Sequence, residues 1–202
     1  MRMLSVRNLF LSLVVSAVLS TSAWASPVPF NGHYYDVIRA AGITWNDARA
    51  AALSQFFLSL QGHLVTITSA GEDTAVHNMI LTNGGGEMWA GGYQNPVTET
   101  NPFLGWTWVN GEGTFPGVSS ASPFANWSGG EPNDFYGPAS EQYLGLNFGT
   151  GWNDEGNLSL ITGYVIEYDP NTINDVVPEP ISLTLVGTGI LGLVARHRRR
   201  SL

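Results

Sequence analysis

The stretch WSGGEPNDFYGPASEQYLGLNFGTGWND, residues 127–154, decides how the rest of the chain is interpreted. It holds side chains that can offer oxygen atoms to a metal ion, in groups separated by glycine-containing segments: Glu131, Asn133, Glu141, Asn153 and Asp154. Carboxylate and amide oxygens suit calcium, which takes about six to eight oxygen ligands in a tolerant geometry, whereas zinc prefers histidine or cysteine. The stretch therefore predicts a calcium site on a loop.

Pro132 lies between the first two candidate ligands. A proline ring biases the residue before it towards extended backbone, and a cis bond would turn Glu131 and Asn133 to one side of a tight loop. We therefore predict a cis peptide bond between Glu131 and Pro132.

Motifs upstream of this stretch and within it occur in the order typical of one family. They are HYY at 33–35, TWNDA at 44–48, GHLVTI at 62–67, WAGG at 89–92, GWTWVNG at 105–111, WSGGEPND at 127–134 and WND at 152–154. Together they resemble a C-type lectin domain, which we place at residues 26–175. The resemblance implies an α+β, C-type lectin-like fold in which two helices flank antiparallel sheets and a long loop binds calcium.

The resemblance also assigns roles to the residues of the central stretch. Carried over by position, it implies that one calcium ion is ligated by Glu131, Asn133, Glu141, Asn153 and Asp154. The segment before Glu141 is longer than is usual in the family, so Glu155 is the alternative to Glu141. A second ion is not predicted, because Gln94, Asn95 and Gln142 stand where the family has acids.

The same resemblance implies a sugar site on the ion. The predicted sugar contacts are Glu131, Asn133, Glu141, Asn153 and the ring of Phe135. For Phe135 the alternative is an ordinary exposed loop residue. The order Glu131-Pro132-Asn133 resembles that of family members that prefer mannose-type sugars.

The chain lacks cysteine, whereas members of this family usually carry two disulfides. A domain of about 140 residues can bury a sufficient core without them. One usual pair would fall near Ala52 and Ile166, where we expect apolar packing to replace the link.

Charge is distributed unevenly along the chain. Between Ser26 and Val177, Arg39 and Arg49 stand against 15 acidic residues, which leaves a formal charge of −13. Such a segment repels nucleic acid and attracts cations, so no nucleic-acid partner is expected.

Residues 1–25 have the layout of a secretory signal peptide. Arg2 and Arg7 precede an apolar run from Leu9 to Leu19, and Ala23-Trp24-Ala25 offers a small-residue cleavage site. A retained membrane anchor is the alternative, although the apolar run is short for a bilayer.

Residues 176–202 resemble a PEP-CTERM sorting signal with a transmembrane helix. Val177-Pro178-Glu179-Pro180 precedes an apolar run over 181–195 and a basic cluster over 196–200. The resemblance implies an exosortase-type processing enzyme as partner, with the helix held in the inner membrane until cleavage or permanently. Arginines that stay cytoplasmic place the domain outside, in the cell envelope or extracellular matrix.

Periodicity and capping residues predict the main elements. These are strands over 33–39, 63–68, 88–93, 106–109, 141–148 and 163–168, and helices over 44–60 and 69–81.

Three classes of function remain open. The first is a non-enzymatic, calcium-dependent module that binds a surface or matrix polysaccharide. The second is a structural or protein-binding envelope protein in which calcium only holds the loop. The third is a glycoside hydrolase with two carboxylates as acid and base. It is disfavoured, because acids interleaved with amides suit a cation cage better than a split pair of pKa values.

Overall fold

A computed structural model describes residues 26–170. The predicted signal peptide and the predicted sorting segment with its helix lie outside these residues. Among residues 26–170, neither helix is long and apolar enough to cross a membrane.

The described chain contains two helices and short strands. The helices are α1 (Trp45–Leu53) and α2 (Ala70–Thr82). The strands are β1 (Val28–Phe30), β2 (His33–Arg39), β3 (Phe56–Phe57), β4 (Leu60–Leu64), β5 (Glu87–Gln94), β6 (Trp106–Trp108), β7 (Ser120–Ala121), β8 (Phe124–Ala125), β9 (Tyr143–Phe148), β10 (Gly151–Glu155) and β11 (Ile161–Tyr168).

The main sheet runs in the order β1-β2-β11-β5-β9-β10. Strand β11 pairs antiparallel with β2 and β4 and parallel with β5, so the two ends of the described chain meet at the centre of the sheet. Strand β6 pairs with β5, and β7 with β8 forms a separate ribbon. Two helices with a mainly antiparallel sheet confirm the predicted α+β class.

Both helices begin where their capping residues predict. The Thr44 hydroxyl accepts a hydrogen bond from the Asp47 N–H at 3.1 Å, and the Ser69 hydroxyl accepts one from the Glu72 N–H at 3.3 Å. Side-chain oxygens at these positions satisfy N–H groups that the first turn of a helix leaves free.

The predicted extension of α1 to Leu60 was wrong. After the helix, Phe56-Phe57 pairs with the start of β4 in a hairpin whose turn is Leu58-Ser59. Leu58 and Ser59 have φ angles of 50° and 70°, which a right-handed helix does not allow. The predicted strand at 63–68 accordingly begins earlier, at Leu60.

The core consists of two clusters, each covered by one helix. Ala52 of α1 and Ile166 of β11 are both fully buried in one cluster, where the family's disulfide would lie. A Cβ atom on Gly62 would come within 2.7 Å of Ile166 Cγ2, so these elements are in close contact. Apolar packing around Ala52 and Ile166 thus takes the place of the absent disulfide, as predicted.

Strand β10 carries the WND motif, and this strand is not among those predicted from the sequence. Its pairing with β9 sets Asn153 opposite Gly145 and Asp154 opposite Leu144. All five residues of β10 are buried although three of them are polar. The strand therefore lacks the alternation of apolar and polar residues by which a strand is usually predicted.

Candidate calcium and sugar site

Two tryptophans attach the central loop to the sheet. Trp127 and Trp152 form a parallel bridge, with Ser128 N–H donating to the Trp152 carbonyl at 2.9 Å. The Trp152 ring is 1% exposed, and its Nε1 donates to Asp73 on α2 at 2.7 Å. These contacts fix the point at which the loop 128–142 leaves the core.

The segment that contains Glu131 and Asn133 is hydrogen-bonded directly to Asp154 of strand β10. The Glu131–Pro132 bond is cis, as predicted. The Asp154 carboxylate accepts hydrogen bonds from the backbone N–H of Asn133 at 2.9 Å and of Asp134 at 2.8 Å. Asp154, on β10, therefore holds the Glu131-Pro132-Asn133 segment against the sheet.

Glu141 is brought to the same place by a turn that Asp134 organises. The Asp134 carboxylate accepts from the N–H groups of Ala139, Ser140 and Glu141. Glu141 Oε2 in turn accepts from the Phe135 N–H at 2.6 Å, and Glu141 is only 3% exposed. The longer segment before Glu141 is thus folded into a compact turn.

Asn153 is oriented by two further acids. Its Nδ2 donates to Glu87 Oε1 at 3.1 Å and to Glu155 Oε2 at 3.3 Å. Glu87 is absent from the sequence-based prediction because it begins β5, far from the loop, with no ligand-like neighbour in sequence. Sheet pairing alone brings Glu87 behind the loop.

The acids around the site have raised pKa values. Burial, followed by the nearby charge of Asp154, raises the pKa of Glu131 to about 7, and burial raises that of Glu141 to about 7. Burial and the charge of Glu155 raise the pKa of Glu87 to about 8. Burial also raises the pKa of Asp154 and of Glu155. Negative charges that lie close together and are partly shielded from water repel one another. They are stabilised when a carboxylate takes up a proton or when a metal cation binds among them.

A cleft of about 310 Å³ opens over these groups. Its polar lining is Glu131, Asn133, Glu141, Asn153 and Glu155, and its apolar and aromatic lining is Phe135, Tyr136, Phe148 and Leu160. Phe135 is 76% exposed, so its ring is free to contact a ligand. Asp154 lies beneath the cleft, fully buried.

The residues present fit calcium by their chemistry. Glu131 Oε2 is buried and has no hydrogen-bond partner among the described residues. Asp154 and Glu141 use their oxygens as acceptors for N–H groups, but each carboxylate keeps further lone pairs for an ion. A calcium ion would bind these hard oxygen donors. It would also neutralise the Glu131 carboxylate, whose Oε2 has no hydrogen-bond donor among the described residues.

Two buried amide side chains, Gln94 and Gln142, hold the loop that follows β5. Gln94 Nε2 donates to the carbonyls of Asn101 and Leu104, and Gln142 Nε2 donates to that of Glu99. These neutral hydrogen bonds tie down the loop after β5. The side-chain oxygens of Gln94 and Gln142 are buried without a hydrogen-bond partner among the described residues.

A second acidic group lies where α2, β2 and β11 meet. Within residues 26–170, the only three His or acidic side chains whose ligand atoms all lie within 4.8 Å of one another are His33, Glu72 and Glu167. The acids around the cleft do not approach one another this closely in threes. His33 Nδ1 lies 2.5 Å from Glu167 Oε1, and the other Glu167 oxygen accepts from the N–H and hydroxyl of Thr66. Sequence reasoning treats the histidines as isolated, and only the sheet brings His33 to Glu167.

Solved structures of C-type lectins share this fold. The C-type lectin CEL-I from Cucumaria echinata matches with a TM-score of 0.54 and 20% identity, over 73% of this chain and 97% of that one. The mouse scavenger receptor C-type lectin carbohydrate-recognition domain matches with a TM-score of 0.52 and 20% identity, over 71% and 94%. At this identity the likeness establishes the fold alone.

Two comparisons of sequence add to the likeness of fold. Halomucin from Haloquadratum walsbyi is 31% identical over 163 residues, which is 77% of this chain and 2% of that protein. The chain thus spans about one fiftieth of the length of the curated relative that it matches. Residues 176–200 match the PEP-CTERM protein-sorting motif. The protein therefore joins a cysteine-free C-type lectin-like fold to a PEP-CTERM sorting motif, which implies export.

Proposed function

We propose that the protein is a non-enzymatic, calcium-dependent carbohydrate-binding protein with a preference for mannose-type sugars. The observation that carries the proposal is the buried, unpartnered Oε2 of Glu131, set among acids with raised pKa values at the base of a cleft. A bound cation would neutralise these carboxylates, and the cleft has room for a sugar ring beside the cation.

The residues of the cleft divide the recognition of a sugar between them. A bound calcium ion would supply open coordination positions for two neighbouring hydroxyls. The Glu131 and Glu141 carboxylates would accept hydrogen bonds from those hydroxyls, and the Asn133 amide would donate one. The exposed face of Phe135 would pack on the apolar side of the ring.

The order of groups in Glu131-Pro132-Asn133 supports the sugar class. A carboxylate accepts hydrogen bonds and an amide nitrogen donates them, so exchanging the two would reverse the pattern offered to a pair of hydroxyls. Vicinal equatorial hydroxyls, as in mannose and glucose, fit the order found here. A shallow site of this kind gives a dissociation constant of about 1 mM for a monosaccharide, so strong attachment would need many copies.

The pKa values do not support hydrolysis. A glycosidase separates the pKa values of its two carboxylates so that one is an acid and the other a base. Glu131 and Glu141 both have a pKa of about 7 in the metal-free protein. Burial raises both pKa values in the same direction, which supports two ligands of one ion over an acid and a base.

The sorting motif supports an envelope location for this function. We propose that an exosortase-type enzyme processes the motif at 176–200 and that the segment around it anchors the chain in the inner membrane beforehand. The ligand would then be a polysaccharide of the envelope or of the surrounding matrix.

Calorimetry of the purified protein with calcium tests the proposal, followed by a glycan array with and without chelator. We expect heat of binding with calcium near neutral pH, and sugar binding that disappears with chelator. If calcium binds but no glycan does, the structural or protein-binding role takes the place of the lectin role. If no heat accompanies calcium, the proposed function is wrong.

A further inference from the structure

A small pocket lies between helix α1, strand β4 and the chain that directly follows β6. Its volume is about 80 Å³, and it shares no lining residue with the cleft described above. The lining contains no acid, although the domain is strongly acidic. Its polar residues are Arg49, Gln61, His63 and Asn110, and Leu53 and Val109 supply apolar contacts. The pocket is therefore a place where a negatively charged group meets no acid in the lining.

Arg49 brings to this pocket a positive charge without a partner. Among residues 26–170 it makes no hydrogen bond or ion pair, and its guanidinium lies 5.7 Å from the centre of the Trp45 ring. Trp45 is 4% exposed, and its Nε1 donates to the Ala90 carbonyl at 2.7 Å, so the ring is a fixed platform. Stacking on this ring limits where the guanidinium lies and leaves its N–H donors free. A planar guanidinium with free donors fits a carboxylate.

His63 brings a buried nitrogen atom without a partner. The side chain is 7% exposed, and its Nδ1 lies 2.9 Å from the Leu64 carbonyl oxygen. A carbonyl only accepts, so Nδ1 carries the hydrogen and Nε2 of the neutral ring has a lone pair. Nε2 has no hydrogen-bond partner among the described residues. Because a buried acceptor is costly when nothing donates to it, His63 favours a ligand that carries a donor.

The amide nitrogens of the lining are already used within the protein. Gln61 Nε2 donates to the Leu53 carbonyl at 2.8 Å, and Asn110 Nδ2 donates to the Thr66 hydroxyl at 3.3 Å. The pocket therefore offers a ligand one cationic donor and one buried acceptor.

We infer that this pocket binds a hydroxy-carboxylate, with the carboxylate on Arg49 and a neighbouring hydroxyl donating to Nε2 of His63. A simple anion such as acetate lacks the hydroxyl donor, and a neutral sugar lacks the charge. The inference goes beyond the proposed function, because it concerns a different pocket and requires no calcium.

The size of the pocket narrows the way in which such a ligand would enter. About 80 Å³ holds several groups of the size of water, but it is well below the roughly 300 Å³ at which typical ligand pockets begin. One edge of a uronic acid carries a carboxylate next to a hydroxyl and fits this space, while the rest of the ring would stay outside. A free 3-hydroxy acid presents the same pair of groups.

The first test measures affinity in the calcium-free protein. The protein is stripped of calcium and then desalted, since a chelator is itself a polycarboxylate. The ligands are methyl glucuronide, 3-hydroxybutyrate, methyl glucoside and acetate. We expect the better of the first two to bind about fivefold to tenfold more tightly than methyl glucoside or acetate, and its affinity to fall as salt is added. The better of the two assigns the pocket to a polysaccharide or to a free hydroxy acid.

Imidazole nitrogen resonances of the wild type give a readout that a merely structural histidine would not produce. On addition of the better ligand, Nε2 of His63 should shift as a lone pair that gains a hydrogen bond, while Nδ1 keeps its hydrogen. The His33 ring, which is paired with Glu167, is the internal reference and should not shift. An unchanged Nε2, or one that takes up a hydrogen to meet an anion, would overturn the inference.

Variants separate the two contacts. Arg49→Gln should weaken binding of the better ligand about tenfold. Arg39→Gln removes the other arginine of residues 26–170, whose guanidinium donates to the Gly85 carbonyl, and is the matched control with unchanged affinity. His63→Asn keeps a donor for the Leu64 carbonyl and loses the acceptor, so its affinity should fall to that of acetate. If His63→Asn does not fold, Arg49→Gln and the wild-type resonances decide.

This inference and the proposed function fail in different ways. Equal affinity for acetate and the two hydroxy-carboxylates, binding of none of them, or binding that appears only with calcium overturns the inference and leaves the calcium-dependent cleft standing. The absence of any heat with calcium overturns the proposed function and leaves the pocket standing.

Discussion

Two groups of buried acids, one around the cleft and one where α2, β2 and β11 meet, differ in the hydrogen-bond donors that reach them. Glu72 and Glu167 lie 7% and 1% exposed, yet their oxygens meet donors from the protein itself. The Tyr35 hydroxyl reaches Glu72 at 2.7 Å, and the Thr66 N–H reaches Glu167 at 2.9 Å. His33 completes this closed cluster from β2.

Among the acids around the cleft, Glu131 has an oxygen that no donor of the described residues reaches. Glu131 keeps a buried oxygen without a partner, and the charges of Asp154 and Glu155 raise its pKa further. A buried carboxylate is tolerated when donors or cations satisfy it, and it is costly otherwise. Residue type alone therefore does not mark a metal site, and the supply of donors around the acids distinguishes the two groups.

The largest expected effect is in the closed cluster. Glu167→Ala removes the acceptor of Thr66 and the partner of His33, so we expect a loss of about 3 to 4 kcal/mol in the free energy of unfolding. Urea unfolding measures it. Glu167→Gln, which keeps an acceptor, should lose less. A loss in Glu167→Ala that disappears on adding calcium would contradict the view that this cluster is complete without an ion.

Calcium should stabilise the folded protein only by binding the acids around the cleft. At a hundredfold excess over its dissociation constant, an ion that binds only the folded state adds about 2.7 kcal/mol. Glu131→Gln should abolish this gain and leave the metal-free stability unchanged or higher, because it removes an unanswered buried charge. The measurement is the melting temperature with and without calcium, with Glu112→Gln as the matched control. An equal calcium shift in Glu131→Gln and wild type would place the ion elsewhere.

The stability of the metal-free protein should fall as pH rises. The folded pKa values of Glu131 and Glu141, about 7, and of Glu87, about 8, lie above their ordinary value. Stability from a raised pKa is full below the unfolded value and is lost as pH passes the folded one. We expect a fall of about 2 kcal/mol between about pH 5 and pH 8, since Glu131 is partly exposed and screened by solvent. Calcium should cancel this fall.

The closed cluster should respond to pH in a different window. The hydrogen bond to Glu167 raises the pKa of His33 from 6.5 to about 9. Its contribution, about 2 kcal/mol at neutral pH, is therefore lost as pH rises through about 9. His33→Gln should remove this step and leave the calcium-sensitive step at lower pH. Chemical denaturation from pH 5 to pH 10, in steps of about half a unit, separates the two windows.

The smallest expected effect is at the rim of the cleft. Phe135→Ala should change the free energy of unfolding by less than about 0.5 kcal/mol, because the ring is exposed. It should weaken calcium-dependent sugar binding by about threefold to fivefold, through the lost contact with the sugar ring. Val118→Ala, another exposed apolar side chain, is the control. Unchanged sugar affinity in Phe135→Ala would make Phe135 an ordinary loop residue.

The helix ends show where sequence reasoning succeeds and where it stops. Thr44 and Ser69 predict the two helix starts, because a cap acts on N–H groups two or three residues away. The end of α1 was mispredicted because apolar spacing continues through Phe56 and Leu60. The chain leaves the helix where Leu58 and Ser59 turn and β4 pairs with β11, which no local pattern reveals.

By itself the sequence predicted the fold class and the cis bond before Pro132, which are confirmed, and the ligand set around that bond, which stays a prediction. These features depend on neighbouring residues or on short motifs, so they are readable along the chain. Only the tertiary structure decided that Glu87 and Glu155 hold Asn153 and that His33 meets Glu167. These contacts arise from strand pairing between distant segments, and burial there fixes which acids find donors and which are left for a cation.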